Sequence, residues 1–446
     1  MLTTPNWAQK AIPIAIHADA VPAVGVGKSH QRAFDCFSWA PLLAKGPTMT
    51  IKQYLTGLFE DCKAQPSLTS EADTMQDIWR HVLWSFLSAY TGKFPEKDAW
   101  NKPWGRYTFE YHTSNDVIAD GFFLVIWSIK GDLEAFSKTF HLRHASCNEF
   151  CEYCPATMDC KADPGMLCTN FSAGASWKRM IYSKEEWARI HPNPHWLFQV
   201  FPFLTHFNLE PDELHILYIG TMPVMIGSVL HLLCYRCLPR SPSENMDLVW
   251  SLISEYYSSQ RVSTQFSSLS LGSFTSPEKP NKDYPVLKGK GAELTYIIGA
   301  VLHVWELHGS YEYAMVRDLL SRQAAMCNIL SANADDLFLS NDQAISFGRH
   351  NDALLDLYTQ LARKADEAGE LLWKMLPKHN WQYHVSQKAR WLNPRASACM
   401  IDEDFVGHQK LIVGASVHGT PPEDVPLAVM AKAAWTMHFA NITSED

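Results

Sequence analysis

The chain has 446 residues, 47% of them hydrophobic and 19% charged, with 16 tryptophans; this is apolar enough for a large buried core and excludes a disordered protein. With 38 Lys and Arg against 47 Asp and Glu the formal charge is −9, so no global basic field draws the chain to a phosphate backbone, and any DNA contact must be local. An odd count of 11 scattered cysteines and a start (MLTTPNWAQK) without a secretory leader pattern point to a reducing, intracellular compartment without disulfides.

Residues 11–17 (AIPIAIH) form an apolar, partly alternating run closing near Asp19, with Pro22 and Gly25 beyond. They predict a buried strand that delivers a carboxylate at its C-terminal end. Residues 33–39 (AFDCFSW) alternate as a second strand and 51–59 as a third. Over residues 73–90, Met75, Ile78, Trp79, Val82, Leu83, Phe86 and Leu87 recur at three- and four-residue spacings, the stripe of an amphipathic helix. Residues 122–129 (FFLVIWSI) read as a central strand buried on both faces, ending at Lys130, Gly131 and Asp132. A short helix over 133–140 precedes a Cys-rich loop at 147–168.

Residues 216–235 contain no Asp, Glu, Lys or Arg, a length near that of a bilayer span. Pro223, Gly220 and Gly227 interrupt the run and His215 and His231 bracket it, which predicts a buried core helix and no membrane contact. A helix is expected over 243–260 and a strand over 266–274 (FSSLSLGSF), where Ser or Gly alternates with apolar residues. Pro277, Pro280 and Pro285 mark a loop, and from Ala292 the spacing of Leu294, Ile297, Ile298, Val301, Leu302 and Trp305 predicts a helix with Glu293 in its first turn. Further helices run to about residue 378, and a mixed tail follows Trp391.

Asp19, Asp132 and Glu293 thus stand at the ends of two strands and the start of a helix. Carboxylates in that order can hold two divalent ions about 4 Å apart for an in-line phosphoryl displacement, and hard oxygen donors suit Mg²⁺ or Mn²⁺. Each residue taken alone equally fits a turn former or helix cap. Cys151-x-x-Cys154, with Cys147 and Cys160 nearby and Cys168, His141 and His144 around them, offers donors for a tetrahedral zinc site, although buried unligated cysteines fit as well. Cys234-x-x-Cys237 lies in an apolar run and reads as core. Local basic patches are Lys279, Lys282, Lys288 and Lys290 before the Glu293 helix, and Lys178 with Arg179 beside Trp177. Asp402, Glu403 and Asp404 offer carboxylates that could serve an active site, but they read first as a solvated acidic loop, because three other carboxylates already fill the expected order.

The strings His17-Ala18-Asp19-Ala20-Val21, Lys130-Gly131-Asp132-Leu133, Cys151-Glu152-Tyr153-Cys154-Pro155, Asp212-Glu213-Leu214-His215 and Lys288-Gly289-Lys290-Gly291-Ala292-Glu293 occur in one order. In this the chain resembles the CACTA- and Plavaka-type cut-and-paste DNA transposases over about residues 10–310. The resemblance implies an α/β fold, a ribonuclease-H-like mixed sheet with a helical insertion and a helical C-terminal region. It further implies a metal-dependent Asp/Asp/Glu site made of Asp19, Asp132 and Glu293, with Asp212 and His215 as the signature pair. Glu306, in the same helix as Glu293, is the residue that could be confused with it.

The divisions that follow are 10–140 and 241–310 as the two parts of the core, 141–240 as a Cys-rich insertion with the Asp-x-x-His segment, and 311–446 as a helical region. The implied activity is DNA strand cleavage and transfer, in the nucleus or elsewhere inside the cell, on element ends and target DNA, by a homo-oligomer. Lys288 and Lys290 are the implied DNA contacts. The first expected strand starts about ten residues from Met1, leaving no room for the N-terminal DNA-binding domain of such transposases, so a truncated or degenerate copy is expected. An inactive or domesticated relic acting as a zinc-stabilised binding or assembly protein is the rival reading.

Overall fold

The structure is a computed structural model and describes residues 6–23, 32–65, 73–159 and 163–443. It is mixed α/β and divides into two compact units: residues 1–144, 183–210 and 399–446 form the first, and residues 145–182 and 211–398 the second. The expected segment 241–310 therefore falls wholly in the second unit, and the expected 311–446 region is split at Cys399.

The first unit is built on a sheet of β1 (Ala11–Ala23), β2 (Arg32–Pro41), β3 (Gln53–Phe59), β4 (Phe123–Gly131) and the short β5 (Leu209–Pro211), in the spatial order β3-β2-β1-β4-β5. β1 and β2 pair antiparallel, as do β2 and β3, whereas β4 lies parallel to β1. β1 runs six residues beyond His17, so Asp19 sits within a paired strand opposite Cys36 and not in the turn expected there.

Alternation sends successive β1 side chains to opposite faces. Toward one face, around Ala18 and Phe37, pack α1 (Thr74–Thr91) and α2 (Leu133–Phe140): Trp79 of α1 meets Phe37 at 5.5 Å and Phe140 at 6.0 Å. α1 starts where the Asp73 carboxylate accepts the Gln76 N–H and stops at Gly92, whose φ of 67° is the left-handed cap conformation. On the other face Val21, Ala23, Phe34, Cys36 and Phe59 pack against Val413, Val425 and Val429. These three belong to α9 (Met400–Val417) and α10 (Val425–Thr443), numbered to leave α3–α8 for the second unit. The tail expected to be mixed thus holds a short helical turn at Pro394–Ser397 and these two long helices, whose apolar positions are spent on a sheet face remote in sequence.

The second unit is helical: α3 (Leu214–Cys237), α4 (Pro242–Gln260), α5 (Gly291–His308), α6 (Ala314–Ala332), α7 (Asn341–Glu367) and α8 (Pro377–Lys388). α3 is long and apolar enough to cross a membrane by length and composition, and 94% of its apolar window is buried inside the protein. Gly227 of α3 lets residues 285–286 press against it, since an added Cβ would come within 2.7 Å of the Pro285 carbonyl. The strand expected over 266–274 is a loop with one 3-10 turn, Leu271–Ser273. Its Ser/apolar alternation arises because Phe266, Leu269 and Phe274 tuck inward while the Ser273 hydroxyl accepts the Ser270 N–H at 3.0 Å. The Cys-rich loop holds no α-helix or strand among its described residues.

Candidate active site

The parallel register of β1 and β4 pairs His17 with Lys130. Asp19 and Asp132 lie two residues beyond those partners, so adjacent strands deliver two half-buried carboxylates at one level of the sheet. Gly131 makes the approach possible: its φ is +156°, and a Cβ there would stand 3.2 Å from the Ala18 carbonyl and 3.0 Å from the Ala135 Cβ. Asp132 then serves as the N-cap of α2, accepting the Ala135 N–H at 2.6 Å. Asp19 accepts the N–H of Ala20 at 2.7 Å. Each carboxylate therefore has one oxygen turned to the backbone, which limits its rotation.

On the face of β1 carrying His17, Asp19, Val21 and Ala23, α9 supplies further acid. Asp402, in its first turn and 3% exposed, is ion-paired to Lys52, to Lys130 at 2.6 Å and to His17 at 3.9 Å. Burial alone would raise its carboxyl, but Lys130, Lys52 and His17 together hold it well below the usual range. Burial pulls the Lys52 ammonium down, and Asp402 restores part of the shift. His17, Cys399 and Asp402 also bring three donor atoms within 4.8 Å of one another; the two ammonium groups on Asp402 already supply the positive charge a cation would bring. Glu403 is the next residue on α9, half-buried, its N–H bonded to the Cys399 carbonyl at 2.7 Å. The segment expected to be a solvated acidic loop is instead a helix start packed on β1, with Asp402 inside the core. Lys52 had no role at the level of sequence, Lys130 appeared only in the Lys-Gly-Asp string, and Asp402 was one of an acidic group read first as solvated.

Glu293 stands in the first turn of α5, in the second unit, where its carboxylate accepts the Lys290 N–H at 2.8 Å in a capping box. Asp19 and Asp132 thus follow neighbouring strand positions in the first unit, and Glu293 belongs to the second. Glu306 is exposed and ion-paired to Arg317 at 3.2 Å. Asp212 and His215 open α3: Asp212 accepts the N–H groups of Leu214 and His215 at 3.0 and 3.1 Å and pairs with the His215 ring. Between them Glu213 is fully buried, and burial, with a small contribution from Asp212, pushes its pKa up to about 7 against the pull of Tyr218 and Arg395.

Lys288 and Lys290 are exposed on the loop before α5. Lys178, expected in a basic patch, instead donates to the Phe171 carbonyl at 2.5 Å and lies over the Tyr383 ring at 5.3 Å, so its charge is spent inside the unit. Of the four expected zinc donors, Cys151 and Cys154 are buried together with their sulfurs 3.6 Å apart, Cys147 is exposed, and Cys160 lies outside the described residues. Cys234 faces Met246 at 3.8 Å, as expected of core packing. No protein-family model and no curated protein matches the sequence.

Proposed function

We propose that the first unit is a ribonuclease-H-like core for metal-dependent phosphoryl transfer on DNA, of the kind the CACTA and Plavaka resemblance implies. The observation that carries the reading is the parallel β1–β4 register that sets Asp19 beside Asp132, with an acidic helix start packed on the same strand. The β3-β2-β1-β4-β5 order, antiparallel through β1–β3 and parallel at β4, supports the fold assignment.

In this reading the third carboxylate is Glu403 of α9. Asp402 is committed to two lysines, and Glu293 caps α5 in the other unit. The donor set is all oxygen and half-buried, which fits Mg²⁺ or Mn²⁺. Bound there, the ions would supply charge to the attacking and departing oxygens of an in-line displacement. The chain's own contribution is positional. The strand register and the cap hydrogen bond fix Asp132, while the lysine-paired Asp402 anchors the helix that presents Glu403. Hydrolysis forms one P–O bond from water and breaks the P–O3′ bond, freeing a 3′ hydroxyl at the element end; in transfer that hydroxyl attacks a target phosphodiester and the target's own 3′ oxygen leaves as a hydroxyl. Lys288 and Lys290 are the proposed contacts to the DNA backbone, and a homo-oligomer inside the cell is the proposed working form.

The test is divalent-ion-dependent nicking and joining of duplex DNA by the purified full chain. Asp19→Asn, Asp132→Asn and Glu403→Gln should each lower the rate by about 10²-fold or more, the scale lost when one transition-state stabiliser is removed. Glu293→Gln should keep the wild-type rate. Unchanged metal-dependent cleavage in both aspartate variants would sink the reading. Loss in Glu293→Gln with retention in Glu403→Gln would overturn the choice of third ligand.

A further inference from the structure

The Cys-rich loop and α8 belong to the same unit but are separated by more than 200 residues of chain. They meet at a buried cluster: Cys151, Cys154 and His384 place three donor atoms within 4.8 Å of one another. The two sulfurs are 3.6 Å apart, and the His384 Nε2 lies 3.2 Å from the Cys154 sulfur. Around one tetrahedral Zn²⁺, with bonds of about 2.3 Å to sulfur and about 2.0 Å to nitrogen, those edges would be about 3.8 and about 3.5 Å. The two pairs that include Cys154 therefore stand near the separations zinc requires, and Cys151 and His384 lie within 4.8 Å of each other.

Their surroundings are those of a ligand set held in place. The His384 ring stacks on Tyr153 at 4.9 Å with 22° between planes, and Tyr383 closes on its edge at 5.4 Å. The fully buried Asn380 amide points at the Cys154 sulfur at 3.6 Å, the kind of outer partner that orients a metal thiolate. α8 is itself unusual: His379 to Ser386 are all buried although most are polar. Gln382 bonds Thr221 and Asn351, and Asn351 bonds Ser386, so these neighbours of His384 on α8 are held by the protein.

We propose that Cys151, Cys154 and His384 bind one Zn²⁺ that staples the Cys-rich loop to α8, with the fourth position left to water or to the buried Cys168 of the same loop. The role is structural: the donors are soft and enclosed, unlike the open oxygen set of the first unit, so the site needs no DNA and no cleavage activity.

The full chain, purified without added metal, should carry one zinc per chain by elemental mass spectrometry. Cys154→Ser and His384→Ala should each weaken zinc binding by more than about 10-fold, the least that loss of even an outer partner costs. Cys147→Ser should keep it. Should those variants fail to fold, the wild type decides: cobalt replacing zinc should give a thiolate-to-metal charge-transfer band, and Cys151 and Cys154 should resist alkylation until a chelator is added while Cys147 reacts throughout. Metal-free protein with no cobalt band, a Cys151–Cys154 disulfide in the intact mass, or zinc lost on Cys147→Ser alone would overturn the proposal.

Discussion

Asp402 and Glu213 are both almost completely buried carboxyl groups, and their surroundings are opposite. Asp402, beneath the strand ends of the first unit, is met by Lys52, Lys130 and His17 and stays ionised. Glu213, at the start of α3 in the second unit, has no ion pair among the described residues, and burial, opposed by Tyr218 and Arg395, moves its pKa to about 7. The same contrast runs through their neighbours. Around Asp402 buried charge is kept and paired, whereas in the second unit His379 is driven down to about 4 and Tyr383 up to about 12, both chiefly by burial, so each stays neutral. Pairing costs desolvation but fixes geometry; neutralising is easier and leaves a group whose charge follows pH. Under the proposed function, a site that must present carboxylates to metal ions gains from the first solution, and a buried helical unit tolerates the second.

The sharpest way to break this contrast is Asp402→Ala. It leaves two ammonium groups buried without their partner and should cost about 3–5 kcal/mol in denaturant unfolding. A loss under about 1 kcal/mol would mean that water already reaches the lysines. Next is the pH response. Native Glu213 binds its proton up to about pH 7, while the unfolded group releases it near its ordinary 4.5. The native state therefore holds more protons across that window, and stability falls as pH rises from 4.5 to 7, by about 3 kcal/mol in all. Glu213→Gln should flatten that slope. Asp402 acts with the opposite sign: its depressed pKa confers stability that is lost as pH falls below about 4.

Smaller effects separate position from chemistry at the strand ends. Gly131→Ala forces a side chain into a positive-φ conformation against Ala18 and should cost about 1–3 kcal/mol, measured by thermal unfolding. Asp132→Ala removes the α2 cap, for about 1 kcal/mol, whereas Asp132→Asn keeps a capping side chain and should cost a few tenths at most. Loss of DNA cleavage in Asp132→Asn with unchanged stability would therefore report the carboxylate's charge and not its cap.

Periodicity and composition by themselves determined the first four strands, the amphipathic helix at Thr74–Thr91, the buried helix around Pro223 and the aspartate that closes the fourth strand. Each of those signals is local: alternation, a 3.6-residue stripe, or a charge closing an apolar run. The strand expected at 266–274 failed because a loop that buries every second or third side chain shows the same alternation without any ladder partner. What only the tertiary structure decided is long-range. The acidic stretch at 402–404 became a packed helix start because Lys52 and Lys130, some 350 and 270 positions away, come to meet it. His384 joined Cys151 and Cys154 for the same reason, across more than 200 residues. No local pattern encodes such meetings; they follow from which faces a folded chain must bury together, and burial then decides which charges are paired and which are suppressed.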